Sequence, residues 1–308
     1  MKDKFDLDAE TICDYHVSSN RKKLWACEIE LLDALERTCK KNNITYFVLW
    51  GSAIGAVRHG GFIPWDDDID IGMVREDFEV LRKCDKSEFA DCVDFQYGVS
   101  DHGVDMIMRI RDARTTGIVF DEVNSKGNKG AFIEIYPFDY VKNNKRRLRQ
   151  AKLNLHIYNC INTKVKHIQR KGLKKAVFGI INALFTPEKL WSLFERISKL
   201  QNNGSHEFID SPAVPSPYTL KGQHLFRTED CVNTISMPFE YTTIRVPEGY
   251  DRVISAGFKN YMTLPPVEER GTHHKSIVFY DPNRPYTEYE DSDLIIRYFS
   301  GDDSLELL

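Results

Sequence analysis

The densest chemistry in the chain is WDDDIDIG at 65–72, which sets Asp66, Asp68 and Asp70 at alternate positions. On a strand, that alternation turns all three carboxylates to one side. Carboxylates side by side repel, and each resists ionising. A divalent cation removes the conflict. Hard oxygen ligands suit Mg2+ or Mn2+, which in turn bind substrate phosphates. A solvated acidic turn is the competing reading, but Ile69 and Ile71 alternate with the acids and argue for a fixed strand. A calcium loop begins the same way. Here Ile71 stands at the sixth position, where glycine is needed, and Asp77 at the twelfth, where glutamate is expected.

Two further features could work with such a cluster. The strand-like run ITYFVLW at 44–50 meets Gly51-Ser52, and SAIGAVRHG reads as a helix capped by Ser52. A strand, a glycine and a helix N-terminus make a phosphate cradle, although Gly-Ser alone is often only a turn. Glu134 is a lone acid in the apolar run FIEIYPFD. Either it sits at an edge facing water, or it shares the metal or serves as a general base.

Other residues keep two readings each. Arg58 could bind a diphosphate through its planar fork or lie on the helix surface, and Arg75 carries the same ambiguity. Arg109 and Arg111 share one strand face, read more readily as solvated than as phosphate contacts. His273 and His274 are adjacent, so they face different ways and do not make a two-histidine metal site. One of them could contact a phosphate or an acceptor. Trp50, Trp65, Tyr136 and Tyr261 flank the motifs; core packing is the simpler account, and a cation–π cage for a quaternary ammonium the functional one.

The elements that must position these groups are partly legible. Leu24, Cys27, Leu31 and Leu35 predict a helix over 21–41, with Ser18, Ser19 or Asn20 as its cap and Lys40-Lys41 at its negative end. Strands are expected at 68–73, 104–111, 115–120 and 131–136, the last ended by Pro137, and a helix at 75–83. Residues 202–217 read as a loop or linker.

Composition limits the function classes. The 308 residues are 42% hydrophobic and 29% charged, as in an ordinary one- or two-domain globular enzyme. Seven cysteines, with no Cys-x-x-Cys pair, argue against a disulfide framework or a cysteine zinc site. The N-terminus lacks an apolar signal core, and AVFGIINALF at 176–185 is too short to span a bilayer. A cytoplasmic protein is expected. Charge is unevenly spread: between Asp139 and Glu188 stand twelve Lys or Arg and no acid, in a stretch that reads as helical. The net charge is −4 and the cations have no interleaved aromatics, so nucleic acid is the least suitable partner. The basic stretch at 142–185, with its apolar end, instead suits peripheral contact with the inner face of a membrane.

Gly51-Ser52, Asp68-Ile69-Asp70 and Ile133-Glu134-Ile135, in that order, resemble the nucleotidyltransferase superfamily of the polymerase-beta type. The run LWGSAIGAVRHGGFIPWDDDIDIGM is similar to the LicD family, as are FIEIYPFD and FKNYMTLPPVEERGTHH. That family includes bacterial phosphocholine transferases and, more distantly, fukutin-related ribitol-phosphate transferases. The resemblance implies an α+β fold, a mixed sheet with flanking helices and a basic helical insertion. It divides the chain into a catalytic core over 1–140, the insertion and linker over 141–235, and a segment over 236–308 completing the catalytic domain. It implies transfer of a phosphoalcohol from a CDP-linked donor to a hydroxyl of a glycan or its lipid-linked precursor. Asp66, Asp68 and Asp70 match the family's metal-binding acids. Glu134 matches its third acid, and Gly51, Ser52 and Arg58 would hold donor phosphates. Zinc, found in the family's animal members, is not expected here. Pyrophosphate-releasing nucleotidyl transfer, or a non-enzymatic membrane-associated role, would use many of the same residues.

Overall fold

A computed structural model describes residues 5–89, 92–101, 106–119, 122, 127–165, 172–213, 224–271 and 277–289. His273 and His274 lie outside the described residues.

A short hairpin of β1 (Glu10–Ile12) and β2 (Tyr15–Val17) leads into α1 (Ser19–Asn42). Ser18 is the cap, its side chain accepting from the Arg21 N–H, and Lys40 and Lys41 sit in the last turn. Next come β3 (Phe47–Val48), α2 (Trp50–Arg58), β4 (Asp70–Val74), α3 (Arg75–Leu81), β5 (Val93–Tyr97), β6 (Met108–Asp112), β7 (Thr116–Val119) and β8 (Ala131–Val141). Three helices follow: α4 (Lys145–Val165), α5 (Gly172–Leu184) and α6 (Pro187–Ser198). The remainder holds β9 (Phe208–Asp210), β10 (Leu225–Arg227), α7 (Thr228–Val232), β11 (Thr234–Phe239), β12 (Thr242–Pro247), α8 (Tyr250–Ser255) and β13 (Ile277–Asp281).

The architecture is mixed α/β around a seven-stranded sheet whose backbone is β8. Residues 134–138 of β8 pair in parallel with β4, residues 131–135 antiparallel with β6, and residues 139–141 antiparallel with β9. Every residue of β4 and β8 is buried, as expected of central strands covered on both faces. Ile71, Met73, Ile133, Ile135 and Phe138 supply core side chains with no exposure. The helix α1 contacts β8. A two-stranded ribbon of β11 and β12 packs on α2 and β3, and β7 pairs with β13.

Several expectations change in the folded chain. The strand expected over 44–50 shrinks to Phe47–Val48, because only these residues pair with β4. Pro137 does not end its strand; β8 continues to Val141. It lies between the residues paired to β6 and those paired to β9, where only β4 claims ladder bonds. The loop expected over 202–217 contains β9, whose Ile209 is fully buried against the sheet.

Candidate active site

The chain upstream of β4 does not form the single strand its alternation suggested. Asp70 opens β4, but Asp66, Asp67 and Asp68 lie on the loop before it. The backbone carbonyl of Asp66 is held instead by α1: the Arg21 guanidinium donates to it at 2.7 Å and the Trp25 indole N–H at 3.0 Å. A carbonyl bonded to two side chains is withdrawn from a strand ladder. The acids converge nonetheless. Carboxylate oxygens of Asp68, Asp70 and Glu134 lie within 4.8 Å of one another, and so do those of Asp66, Asp67 and Asp68. Asp70 and Glu134 meet because they are register partners across the β4–β8 pair.

Burial and mutual repulsion push Asp68 and Asp70 well above the usual carboxylate range. Burial is the larger cause for both. Asp70 is the foremost neighbouring charge on Asp68, and Glu134 on Asp70. The Oδ1 atom of Asp70 is buried without a hydrogen-bond partner. An orphaned oxygen among hard oxygen donors fits a small divalent cation, and Asp68, Asp70 and Glu134 are the residues that would hold it.

Glu134 is braced from two sides. Its Oε1 accepts from Arg109 Nε at 2.8 Å and faces Arg109 Nη2 at 2.7 Å, and its Oε2 accepts from the Tyr136 hydroxyl at 2.5 Å. Arg109 also donates to buried Glu122, whose other oxygen takes Arg111 Nη2 at 2.6 Å. Arg111 further donates to Gln96 and to the Gly130 carbonyl. Arg109 and Arg111 therefore do not form a solvated face. They are a buried cationic pair neutralised by Glu122 and Glu134, a balance that ionic groups in a core require. Arg75 is likewise no surface residue; it is buried in a two-point pair with Asp139 at 2.9 and 2.7 Å.

Ser52 does not cap α2. The cap is Leu49, and Ser52 sits inside the first turn with its Oγ accepting the Asp70 N–H at 2.8 Å. Its oxygen thus anchors the start of β4, leaving the hydroxyl proton as what it can still offer a phosphate. Gly51 is required by a close approach: a Cβ there would stand 2.3 Å from Asp66 Oδ2.

A cleft of about 480 Å³ opens over the acids. Gly51, Asp66, Asp68 and Asp70 line one part of it, and the segment from Phe258 to Glu269 forms the opposite wall. Arg58 ties that wall down, donating to the Tyr261 carbonyl at 2.5 Å and to the His59 ring at 2.9 Å. Burial and the neighbouring guanidinium push His59 down to about 4, so the ring is neutral at pH 7 and can accept that bond. Trp50, Trp65, Phe258 and Tyr261 bring aromatic surface to the same cleft. Tyr136 lies beneath, edge-on to Trp50 with ring centroids 4.7 Å apart.

Residues 43–171 match the family model described as LicD/FKTN/FKRP, nucleotidyltransferase domain. Residues 43–171 carry a LicD-family domain. The match covers the acids, Gly51-Ser52 and Glu134, and therefore every group described above except α1 and the far wall of the cleft. The chain is 26% identical over 272 residues to the lipopolysaccharide cholinephosphotransferase LicD of Haemophilus influenzae, covering 80% of this chain and 92% of that protein. It is 48% identical over 71 residues to an uncharacterized protein of Rickettsia prowazekii, covering 23% of this chain and 26% of that one. It is 39% identical over 51 residues to the human ribitol 5-phosphate transferase FKRP, covering 17% of this chain and 10% of that protein.

One acid beside the cluster escaped the sequence reading. Glu28 on α1 is fully buried, and neither of its oxygens has a hydrogen-bond partner. Burial first, then the charges of Asp67 and Asp66, push it well above the carboxylate range. It was detectable in principle: a glutamate four residues after Leu24 and three before Leu31 sits within the apolar stripe of α1. Arg21 and Trp25, on neighbouring turns, had no comparable mark.

Proposed function

We propose that the protein transfers a phosphoalcohol from a CDP-linked donor to a hydroxyl of a cell-surface glycan or its lipid-linked precursor, with phosphocholine as the transferred group and Mg2+ or Mn2+ as the cofactor. The carrying observation is the convergence of Asp68, Asp70 and Glu134, with an orphaned Asp70 oxygen, beside an open cleft that Asp68 and Asp70 line. The activities of LicD and FKRP, both transfers of an alcohol phosphate, support the reaction class.

Asp68, Asp70 and Glu134 would hold the metal, with Asp66 assisting. The bound cation supplies neutralisation of the diphosphate and of the charge that grows as CMP leaves. The Gly51 backbone and Arg58 would steady the donor phosphates, while Ser52 holds Asp70 at the head of β4. Glu134 is either the base for the acceptor hydroxyl or a metal ligand. Both its oxygens already accept hydrogen bonds, which favours donating a lone pair to a cation over taking up a proton. Trp50, Trp65, Phe258 and Tyr261 line the cleft together with carboxylates, surroundings that suit a trimethylammonium group. That is the specific support for choline over ethanolamine, glycerol or ribitol.

The deciding experiment incubates the protein with Mg2+ and a panel of CDP-alcohols and follows the products. CMP release supports phosphoalcohol transfer. Pyrophosphate from a nucleoside triphosphate would indicate nucleotidyl transfer, and no metal-dependent turnover of any donor would indicate a binding role.

A further inference from the structure

The helix α4 is basic on the side it does not bury. Ile157, Cys160 and Ile161 are buried, and Arg147 pairs at 2.7 Å with buried Asp210, so α4 is firmly seated through one face. Lys145, Arg146, Arg149, Lys152 and His156 are exposed. Positions 145, 149, 152 and 156 follow helical spacing and form one stripe, with Leu153 47% exposed beside it. None of Lys145, Arg146, Arg149 and Lys152 has an ion-pair partner among the described residues. No carboxylate occurs anywhere from 140 to 187 to supply one locally.

The neighbouring helix α5 adds apolar side chains on both its packed and its outward side. Phe178 and Ile181 pack against the core, while Ile180 and Leu184 point outward at 62% and 69% exposure, and Phe185 follows at 44%. An ordinary protein surface mixes charge signs and does not leave three large apolar side chains exposed within six residues.

We infer that the surface made by α4 and α5 docks on an anionic membrane leaflet, with the α4 cations at the headgroups and Ile180, Leu184 and Phe185 in the acyl boundary. Charge complementarity selects a polyanionic partner, and the apolar residues select a lipid surface among polyanions. A soluble polyanion would account for the cations and leave Ile180, Leu184 and Phe185 facing water. Among the described residues no helix is long and apolar enough to cross a membrane, so attachment here is lateral. The surface shares no residue with the cleft, and so stands apart from the catalytic reading.

The test is co-sedimentation of the full chain with phosphatidylcholine vesicles, with and without phosphatidylserine, at low and high salt. Pelleting is expected with the anionic vesicles at low salt and loss of pelleting at high salt. One engaged cation contributes about five-fold to partitioning. Replacing Lys145, Arg146, Arg149 and Lys152 by Gln should therefore weaken it by about 10²-fold or more. Arg147 is left intact because its pair with Asp210 belongs to the core. Ile180→Ser with Leu184→Ser should also lower vesicle binding while leaving retention on heparin unchanged. No pelleting of the unaltered protein on anionic vesicles at low salt would overturn the inference. So would equal vesicle binding by the serine variant, which would mark the surface as a site for soluble polyanions.

Discussion

Asp70 and Glu134 face each other as register partners in the parallel β4–β8 pair, and a single serine, Ser52, fixes the Asp70 backbone in that position. Two acids 64 positions apart in sequence thus become one carboxylate cluster, with geometry governed by a strand ladder instead of flexible loops. Ligands on strands are held more precisely than ligands on loops. Asp66, which does lie on a loop, has its backbone carbonyl held by the Arg21 and Trp25 bonds from α1.

Asp68→Ala and Asp70→Ala should each lower CMP release by about 10³-fold or more, since a bound cation contributes several kcal/mol to transition-state stabilisation. The fold should survive. Without metal, each variant should melt above the parent, because one repelling carboxylate is gone from the buried set. Calorimetry with and without Mg2+ checks both statements, and full activity in both variants would refute the metal assignment.

Glu134→Gln separates base from ligand. A general base lost here should cost about 10²-fold or more in kcat with donor affinity little changed. A ligand lost should instead raise the Mn2+ dissociation constant, read directly by titration. Tyr136→Phe provides a milder companion: losing one hydrogen bond to a charged group costs about 1.5–3 kcal/mol, and the effect should appear in the same parameter as that of Glu134→Gln.

Gly51→Ala should be damaging although alanine favours helices by about 1 kcal/mol over glycine. The new Cβ would stand 2.3 Å from Asp66 Oδ2, so the carboxylate must move. Weaker Mn2+ binding and a lower melting temperature are expected together. An alanine variant that binds metal normally would show that Asp66 has no share in the site.

The metal-free protein should lose stability as pH rises. Glu28, Asp68 and Asp70 are all pushed above the ordinary carboxylate range when folded, chiefly by burial. The folded chain therefore holds protons that the unfolded chain has released. Their contribution is complete below the unfolded value, near 4, and is lost as pH climbs through the raised folded values. Saturating Mg2+ should flatten that fall above about pH 4, because a cation replaces those protons as the neutralising charge. Melting curves across that range with EDTA or with Mg2+ provide the comparison; parallel curves would count against it.

The reach of the sequence ended where contacts became long-range. WDDDIDIG, Gly51-Ser52 and the acid in FIEIYPFD stood out because their information is local: an acid in an apolar run, or a glycine before a helix, is unusual within a few residues of itself. The amphipathic pattern of α1 and the acid-free basic stretch were readable for the same reason. What each acid touches was not. Arg21 and Trp25 reach Asp66 across more than 40 residues, and Arg109 reaches Glu134 across 25. Such partners depend on which strand lies beside which, and periodicity carries no record of that choice. Arg75, Arg109 and Arg111 were ambiguous for this reason, since a charged residue on an expected strand or helix looks the same whether it meets water or a buried carboxylate. The sequence by itself determined which acids stand out, Asp66, Asp68, Asp70 and Glu134 in apolar surroundings near Gly51-Ser52. Only the tertiary structure decided which of those acids meet and which residues hold them in place, because strand pairing and helix docking bring together groups that the chain keeps far apart.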